Sequence, residues 1–191
     1  LLRYAPDSCI TLIDPKTHHI KITHLHETFR HPLVDLLVPF TDIEKRYGCR
    51  HIPASVHFDA EELQRCQQTK HLVVNDESLH FDYLLVASGC ENRISDRAEN
   101  VLNLQDFAAS AGSELLMPLL ESNHQSEQSI SVVGGGATGI QFLFEIKQFL
   151  SRKKSKATLR LIHSGERVLE QFPRGFDTYV QSRMQELNIA F

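Results

Sequence analysis

The sequence predicts an α/β fold built on doubly wound parallel sheets, and three observations lead to this prediction. The second half alternates short apolar runs with longer segments of helical periodicity, the order expected of strand–helix–strand–helix units. A glycine-rich turn joins the first of these runs to the helical segment after it. The 191 residues include 41% hydrophobic residues, which is enough for an ordinary buried core.

The elements are clearest in the second half of the chain. Strands are predicted at 130–133 and 158–162, with an apolar helix over 140–150 between them. A second helix begins near Pro173, and a third strand should begin at 188–191. The apolar positions of this second helix recur at helical spacing and are Phe176, Val180, Met184 and Leu187.

The first half has shorter elements. The apolar run 10–13 ends at Asp14-Pro15 and predicts a buried strand closed by a turn. Leucines at helical spacing predict a helix over 32–46, and a further helix is expected over 106–121. Three short strands separated by turns predict a small antiparallel meander beside the parallel sheet, at 51–58, 71–75 and 81–86.

Composition excludes several classes of protein. The formal net charge is −4, with 20 Lys+Arg against 24 Asp+Glu, so no nucleic-acid partner is expected, because such proteins carry a basic surface. No run of about 18 apolar residues occurs, so this segment contains no predicted membrane span. The four cysteines are far apart in the sequence, which indicates reduced thiols in a cytoplasmic protein.

The glycine-rich turn predicts a dinucleotide site. Gly134, Gly136 and Gly139 follow the spacing G-x-G-x-x-G between a predicted strand and a predicted helix. The first glycine permits the tight turn, the second lets the backbone approach a pyrophosphate, and the third allows close packing of the helix. The amides at the helix N-terminus then face the phosphates.

The end of the next strand is expected to distinguish NAD from NADP. A carboxylate about 20 residues beyond the glycines usually holds the adenosine ribose, but His163 stands there. A histidine does not replace a carboxylate that accepts from two hydroxyls. With Ser164 and Arg167 it could meet a 2′-phosphate, which favours NADP and leaves NAD as the alternative.

Several stretches resemble the flavin-dependent pyridine nucleotide–disulfide oxidoreductase superfamily. Residues 81–89, FDYLLVASG, are similar to its YDYLVIATG strand, and residues 132–145, VVGGGATGIQFLFE, resemble its VVGGGPTGVELAGE turn. Residues 159–187 resemble the segment that follows this turn. Residues 10–27 are closer to type II NADH dehydrogenases and relatives of sulfide:quinone reductase than to the glutathione-reductase branch.

This resemblance implies a Rossmann-like protein that binds FAD and NAD(P). Residues 1–104 would form part of an FAD-binding domain, and residues 105–191 part of an NAD(P)-binding domain. Asp14 would hold the ribose of the FAD adenosine, although an aspartate before proline is also a common turn opener. The other implied FAD positions are Val56, whose backbone would contact the adenine, and Ala87, Ser88 and Gly89 near the phosphates. The implied NAD(P) positions are Gly134, Gly136, Thr138, Gly139, Gln141, His163 and Ser164.

The resemblance also implies a function and a partner. The parent protein would pass hydride from NAD(P)H to FAD and then electrons to a small-molecule acceptor such as a quinone. The first glycine motif of the family is absent upstream of Asp14, and Gln141 stands where the family usually has a glutamate. A degenerate nucleotide-binding module without turnover is therefore the alternative. An internal fragment, a homodimer through unpaired sheet edges and a peripheral membrane location are further expectations, and no catalytic side chain is assigned.

Two other sites compete with this reading. His24 and His26 are separated by one residue and are followed by Glu27, a combination that could bind a metal ion. The sequence indicates no further ligand, so no metal is predicted. Cys90 directly follows the 87–89 turn and could be a reactive thiol near a flavin. A single cysteine is more often part of the packing.

Overall fold

The structure is a computed structural model that describes residues 6–89, 100–121 and 128–191. The chain divides into two compact units, of which one comprises Leu1–Ile20 and Leu37–Arg97 and the other Lys21–Leu36 and Ala98–Phe191. Both combine helices with short strands, and each contains a parallel strand pair. This mixed architecture confirms the predicted α/β class.

The first unit contains short strand pairs and two helices. Its elements in chain order are β1 (Thr11–Ile13), β2 (His18–Ile20), β3 (Leu37–Pro39), α1 (Phe40–Tyr47), β4 (Arg50–Ile52), α2 (Ala60–Thr69), β5 (His71–Val74) and β6 (Glu77–His80). Strand β1 pairs in parallel with β4, whereas β2 pairs antiparallel with β3 and β5 antiparallel with β6. The two-residue turn between β5 and β6 places Asn75 and Asp76 at positive φ, which suits hairpin turns.

The hydrophobic core of the first unit packs against these strand pairs. Strand β5 buries Leu72 and Val74 on one face, next to Ile52 of β4 and Cys66 of α2. Helix α2 begins at Asp59, whose Oδ1 accepts a hydrogen bond of 2.7 Å from the Glu62 amide, as a good N-cap does. Burial raises the pKa of the Cys66 thiol. The core is therefore small and formed by few apolar side chains.

Three first-half predictions were wrong in their boundaries. The helix predicted over 32–46 begins only at Phe40, because residues 33–36 form a 3₁₀ turn and 37–39 form β3. Proline at position 39 immediately precedes that helix, a position where its missing amide costs nothing. The strand predicted at 51–58 ends at Ile52, and the strand predicted at 81–86 lies at 77–80 instead.

The second unit contains the predicted strand–helix alternation. Its regular elements are α3 (Leu104–Ala109), α4 (Gly112–Glu121), β7 (Ser129–Val133), α5 (Ala137–Arg152), β8 (Thr158–Ile162) and α6 (Arg174–Glu186), together with a 3₁₀ segment at Ile22–Phe29. Strands β7 and β8 pair in parallel, and Ala190 bridges Arg160 in parallel, where the third strand was expected. The helix predicted over 106–121 is instead two helices, separated at Ser110. No helix of the described residues is long and apolar enough to cross a membrane.

The 3₁₀ segment Ile22–Phe29 packs on α3, α4 and α5. The ring of Phe29 lies 6.0, 6.1 and 5.5 Å from those of Phe107, Phe142 and Phe149. The buried Thr28 hydroxyl donates to the Leu25 carbonyl at 2.7 Å and accepts from the Gly112 amide at 2.8 Å. This segment thereby caps α4 and supplies the centre of an aromatic core.

A buried ion pair joins the same segment to α5. Arg30 donates to Oε1 of Glu145 at 2.9 Å, and the Glu145 side chain is only 12% exposed. Oε2 of Glu145 is buried without a hydrogen-bond partner among the described residues. Removal of the arginine would therefore leave a buried carboxylate wholly unpaired, which is costly.

We expect Arg30→Met to lower the free energy of unfolding by about 2 kcal/mol, less than for a fully buried pair, because the Arg30 side chain is 40% exposed. The double variant Arg30→Met/Glu145→Met should recover most of this loss, since no lone charge stays buried. Urea unfolding of the wild type and both variants measures the effect. A double variant as unstable as the single one would argue against the pair as the cause.

Candidate functional site

The glycine turn continues directly from β7 into α5. The Gly134 amide donates to the Ile162 carbonyl at 2.8 Å, which extends the β7–β8 pairing by one residue. Gly134 has φ of 110°, a conformation that a side chain would disfavour. Gly136 precedes α5 as its N-cap residue, with extended backbone geometry. The turn thus delivers the chain from the end of a parallel strand to a helix N-terminus.

Two glycines of the turn are required for opposite reasons. A Cβ added at Gly139 would lie 1.9 Å from the Gly134 carbonyl oxygen, so the helix packs on the turn at backbone distance. A Cβ added at Gly136 would meet nothing within 4 Å, so this position borders open space. No described side chain caps the first amides of α5, so they are available to an anion.

The ring of His163, which follows β8, is hydrogen-bonded to this turn. The Gly135 amide donates to Nδ1 of His163 at 3.2 Å, and Nε2 lies 3.1 Å from the Arg167 carbonyl. An amide only donates and a carbonyl only accepts, so Nδ1 is the acceptor and Nε2 the donor in these two contacts. Gly135 has no space for a side chain, because an added Cβ would lie 2.8 Å from the ring. His163 therefore links the glycine turn, through Nδ1, to the loop after β8, through Nε2.

Arg167 also forms hydrogen bonds with backbone groups near the glycine turn. Its guanidinium donates to the carbonyls of Phe172 at 2.9 Å, Leu169 at 3.4 Å and also Glu170. The Leu169 amide returns to the Gly135 carbonyl at 2.8 Å. The loop between β8 and α6 is thus folded around its own backbone groups, and Ser164 lies exposed at its start.

Thr138 and Gln141 lie three residues apart near the start of α5, and both are exposed. Their neighbours Ile140, Phe142 and Leu143 are buried, so this helix is amphipathic and presents a polar face beside the glycine turn. Thr138 and Gln141 therefore lie where a ligand on the helix N-terminus would meet side chains.

The candidate FAD positions all lie in the first unit. Asp14 follows β1 at the carboxyl end of the parallel pair, and its Oδ1 accepts from the Lys16 amide at 2.8 Å. The Asp14 carbonyl accepts from Nε2 of His51 at 3.0 Å. Val56 packs against the first-unit core, while the described residues 53–58 form no backbone–backbone hydrogen bond. Ala87, Ser88 and Gly89 are exposed, and Gly89 has φ of 78°.

The rival metal site lacks the geometry that its chemistry needs. His24 Nδ1 lies 3.0 Å from Oε1 of Glu27, and the hydrogen bond lowers the pKa of that carboxyl. The His24 and His26 rings stack with centroids 6.3 Å apart. No group of three or more metal-ligating side chains occurs in the described part of the chain. Cys90 lies outside the described residues.

The family described as pyridine nucleotide-disulphide oxidoreductase matches residues 39–191. The chain belongs to this family. The match includes the glycine turn and both strands that flank α5, and it points to FAD and NAD(P)H as the cofactors. No curated protein matches the chain.

Solved structures show the same fold at low sequence identity. NDH2 from Plasmodium falciparum superposes with a TM-score of 0.72 at 18% identity, over 97% of this chain and 42% of that one. The sulfide:quinone oxidoreductase from Aquifex aeolicus gives 0.66 at 16% identity, over 100% and 46%. The NAD-dependent persulfide reductase from A. fulgidus gives 0.65 at 18% identity, over 98% and 35%. The chain thus spans less than half of each of these proteins.

Residues outside the predicted set also shape the site. Gly135, Gly165 and Glu170 surround the His163 ring. A Cβ added at either glycine would lie within 4.0 Å of a ring atom of His163. Oε1 of Glu170 lies 4.0 Å from Nε2 of the same ring. Sequence spacing alone could have suggested Gly135, because it falls inside the motif. Glu170 has no sequence signal, since its position depends on how the β8–α6 loop folds.

Proposed function

We propose that the full-length protein passes reducing equivalents from NAD(P)H to FAD and then to a small-molecule acceptor. The observation that carries this proposal is the glycine turn, with Gly134 at positive φ, Gly139 at backbone contact and Gly136 bordering open space. This arrangement suits a pyrophosphate at the start of α5, where amides that no described side chain caps and the helix dipole favour negative charge.

The two nucleotides are assigned to different parts of the chain. We propose residues 105–191 as part of the NAD(P)-binding domain and residues 1–104 as part of the FAD-binding domain. Asp14 supports the second assignment, because it follows a parallel strand and carries a carboxylate suited to ribose hydroxyls. Residues 53–58, whose backbone is unpaired within the described chain, suit the adenine contacts proposed for Val56.

The side chains of this segment bind and orient. The bound cofactors supply the hydride chemistry, so the protein groups act by position. In the second unit, the amides of α5 would hold phosphate oxygens, and the polar face with Thr138 and Gln141 would meet the nicotinamide half. The His163 ring maintains the turn by holding the Gly135 amide.

A quinone is the first acceptor that we propose. The support is the fold shared with a protein named for a quinone substrate, the Aquifex sulfide:quinone oxidoreductase. A membrane-surface location in the cytoplasm would give access to such an acceptor. The homodimer stays a prediction.

Purification of the full-length protein tests this function directly. We expect yellow protein with visible flavin absorbance, which NADH or NADPH bleaches without oxygen and a soluble quinone then restores. Colourless protein that FAD does not reconstitute would instead support the degenerate nucleotide-binding module. Bleaching without recovery by quinone would contradict only the proposed acceptor.

Adding one methyl group at Gly136 should weaken nucleotide binding while leaving the stability of the protein nearly unchanged. Gly136→Ala adds a Cβ that meets nothing within 4 Å, so we expect stability to change by less than about 0.5 kcal/mol. The methyl group would lie where the pyrophosphate approaches, so the Kd for NADH should rise about tenfold or more. The matched control is Gly175→Ala, which also has open space and should leave the Kd unchanged. Equal affinity in all three proteins would remove Gly136 from the site.

A further inference from the structure

The carboxylate of Glu170, from the loop between β8 and α6, lies beside the end of β8. A Cβ added at Gly165 would lie 2.0 Å from Oε1 of Glu170, so this oxygen rests against the Gly165 backbone. The same Oε1 lies 4.0 Å from Nε2 of His163. The Glu170 carboxylate thus lies beside His163, the position at which the sequence has a histidine instead of the usual carboxylate.

This carboxylate is available to a ligand. The Glu170 side chain is 55% exposed, and its carboxylate oxygens accept no hydrogen bond from the described residues. Arg167 donates to the backbone carbonyl of Glu170 and not to its carboxylate. An ionised carboxylate with unused lone pairs accepts from two hydroxyls at once, as an adenosine ribose diol requires.

We propose that Glu170 receives the adenosine ribose hydroxyls of the nicotinamide nucleotide and thereby selects NAD(H) over NADP(H). This inference rests on the proposed function, since it concerns the same nucleotide. It reverses the preference for NADP that the residue types at 163–167 suggested. Glu170 is a specificity-determining residue in this account, and Gly165 is the small residue that gives it space.

The charges at this strand end disfavour a 2′-phosphate. The groups that the residue types suggest as phosphate partners are engaged elsewhere, because Nδ1 of His163 accepts from the Gly135 amide and the Arg167 guanidinium donates to carbonyl groups of its own loop. Glu170 is exposed beside them. A phosphate monoester carries a charge of about −1.5 to −2 at pH 7 and would be repelled by the Glu170 carboxylate.

The adenosine halves of the two cofactors test this assignment without any turnover. ADP-ribose and 2′-phospho-ADP-ribose are titrated by calorimetry into the full-length wild-type protein, Glu170→Gln and the matched control Glu166→Gln. The control removes the same charge from the same loop. We expect the wild type and the control to bind ADP-ribose at least about tenfold more tightly than the phosphorylated probe.

Glu170→Gln should lose most of this preference, by about tenfold, because the amide keeps one acceptor and offers a donor to the phosphate. A preference unchanged in Glu170→Gln, or a wild type that prefers the 2′-phosphate, would overturn the assignment while leaving the proposed function in place. If neither probe binds to a colourless protein, the proposed function and this inference fail together.

Discussion

Replacing Phe29 with alanine should destabilise the protein by about 3–5 kcal/mol, the usual cost of deleting a buried aromatic ring. Phe29 is 4% exposed and lies at the centre of the second-unit aromatic cluster. Its ring contacts come from two helices, through Phe107 of α3 and through Phe142 and Phe149 of α5. These helices have little room to close the cavity, because each also packs on other elements.

Urea unfolding of the full-length protein measures this loss. Phe176→Ala is the matched control, because Phe176 is 51% exposed and its ring contact is with Phe172. We expect the control to cost less than about 1 kcal/mol. Similar losses in the two variants would mean that the segment containing Phe29 does not hold the second unit together.

Gly139→Ala should have the largest effect on nucleotide binding. The added Cβ would overlap the Gly134 carbonyl oxygen at 1.9 Å, and neither group belongs to a flexible side chain. The helix must therefore move away from the turn, at a cost of about 1–3 kcal/mol or more. Because the same movement displaces the amides at the start of α5, we expect the Kd for NADH to rise about a hundredfold.

Comparison with Gly136→Ala identifies the cause. Gly139→Ala should lose both stability and affinity, whereas Gly136→Ala should lose affinity alone. The measurements are urea unfolding and equilibrium titration with NADH on the same full-length preparations. A Gly139→Ala protein with normal stability and normal affinity would show that the close approach of α5 to the turn is not needed.

Much of the second unit is predictable from the sequence because its patterns are local. Alternating burial along β8 and the apolar stripe of α6 give the correct elements. The break between α3 and α4 is less visible, since apolar residues continue through it. It lies at Ser110 and Ala111, and the amide of Gly112, the first residue of α4, donates to the distant Thr28 hydroxyl.

The first unit was harder to predict because its elements are short and few are strongly apolar. Helix α2 was missed, since its sequence AEELQRCQQT carries only Leu63 and Cys66 as larger apolar residues inside a polar segment. Its N-cap, Asp59, directly follows the segment 51–58 that the sequence predicts as a strand. Proline at position 39 could have indicated where α1 begins.

The candidate site also has some features that the sequence predicts and others that depend on tertiary structure. The motif spacing locates Gly134, Gly136 and Gly139 correctly between a strand and a helix. The spacing also places His163 at the end of β8, but its hydrogen bonds to the turn depend on tertiary structure. Residue types therefore suggest two cations near the ribose, while the folded loop presents a carboxylate from Glu170.

Hydrogen exchange of the full-length protein with and without NADH tests the central claim most directly. The claim is that the turn from Gly134 to Gly139 and the first amides of α5 hold the pyrophosphate. We expect NADH to slow amide exchange in peptides covering 134–140 by about tenfold or more, because bound phosphate oxygens accept from these amides. Exchange that stays unchanged at 134–140 while NADH reduces the flavin would contradict the claim.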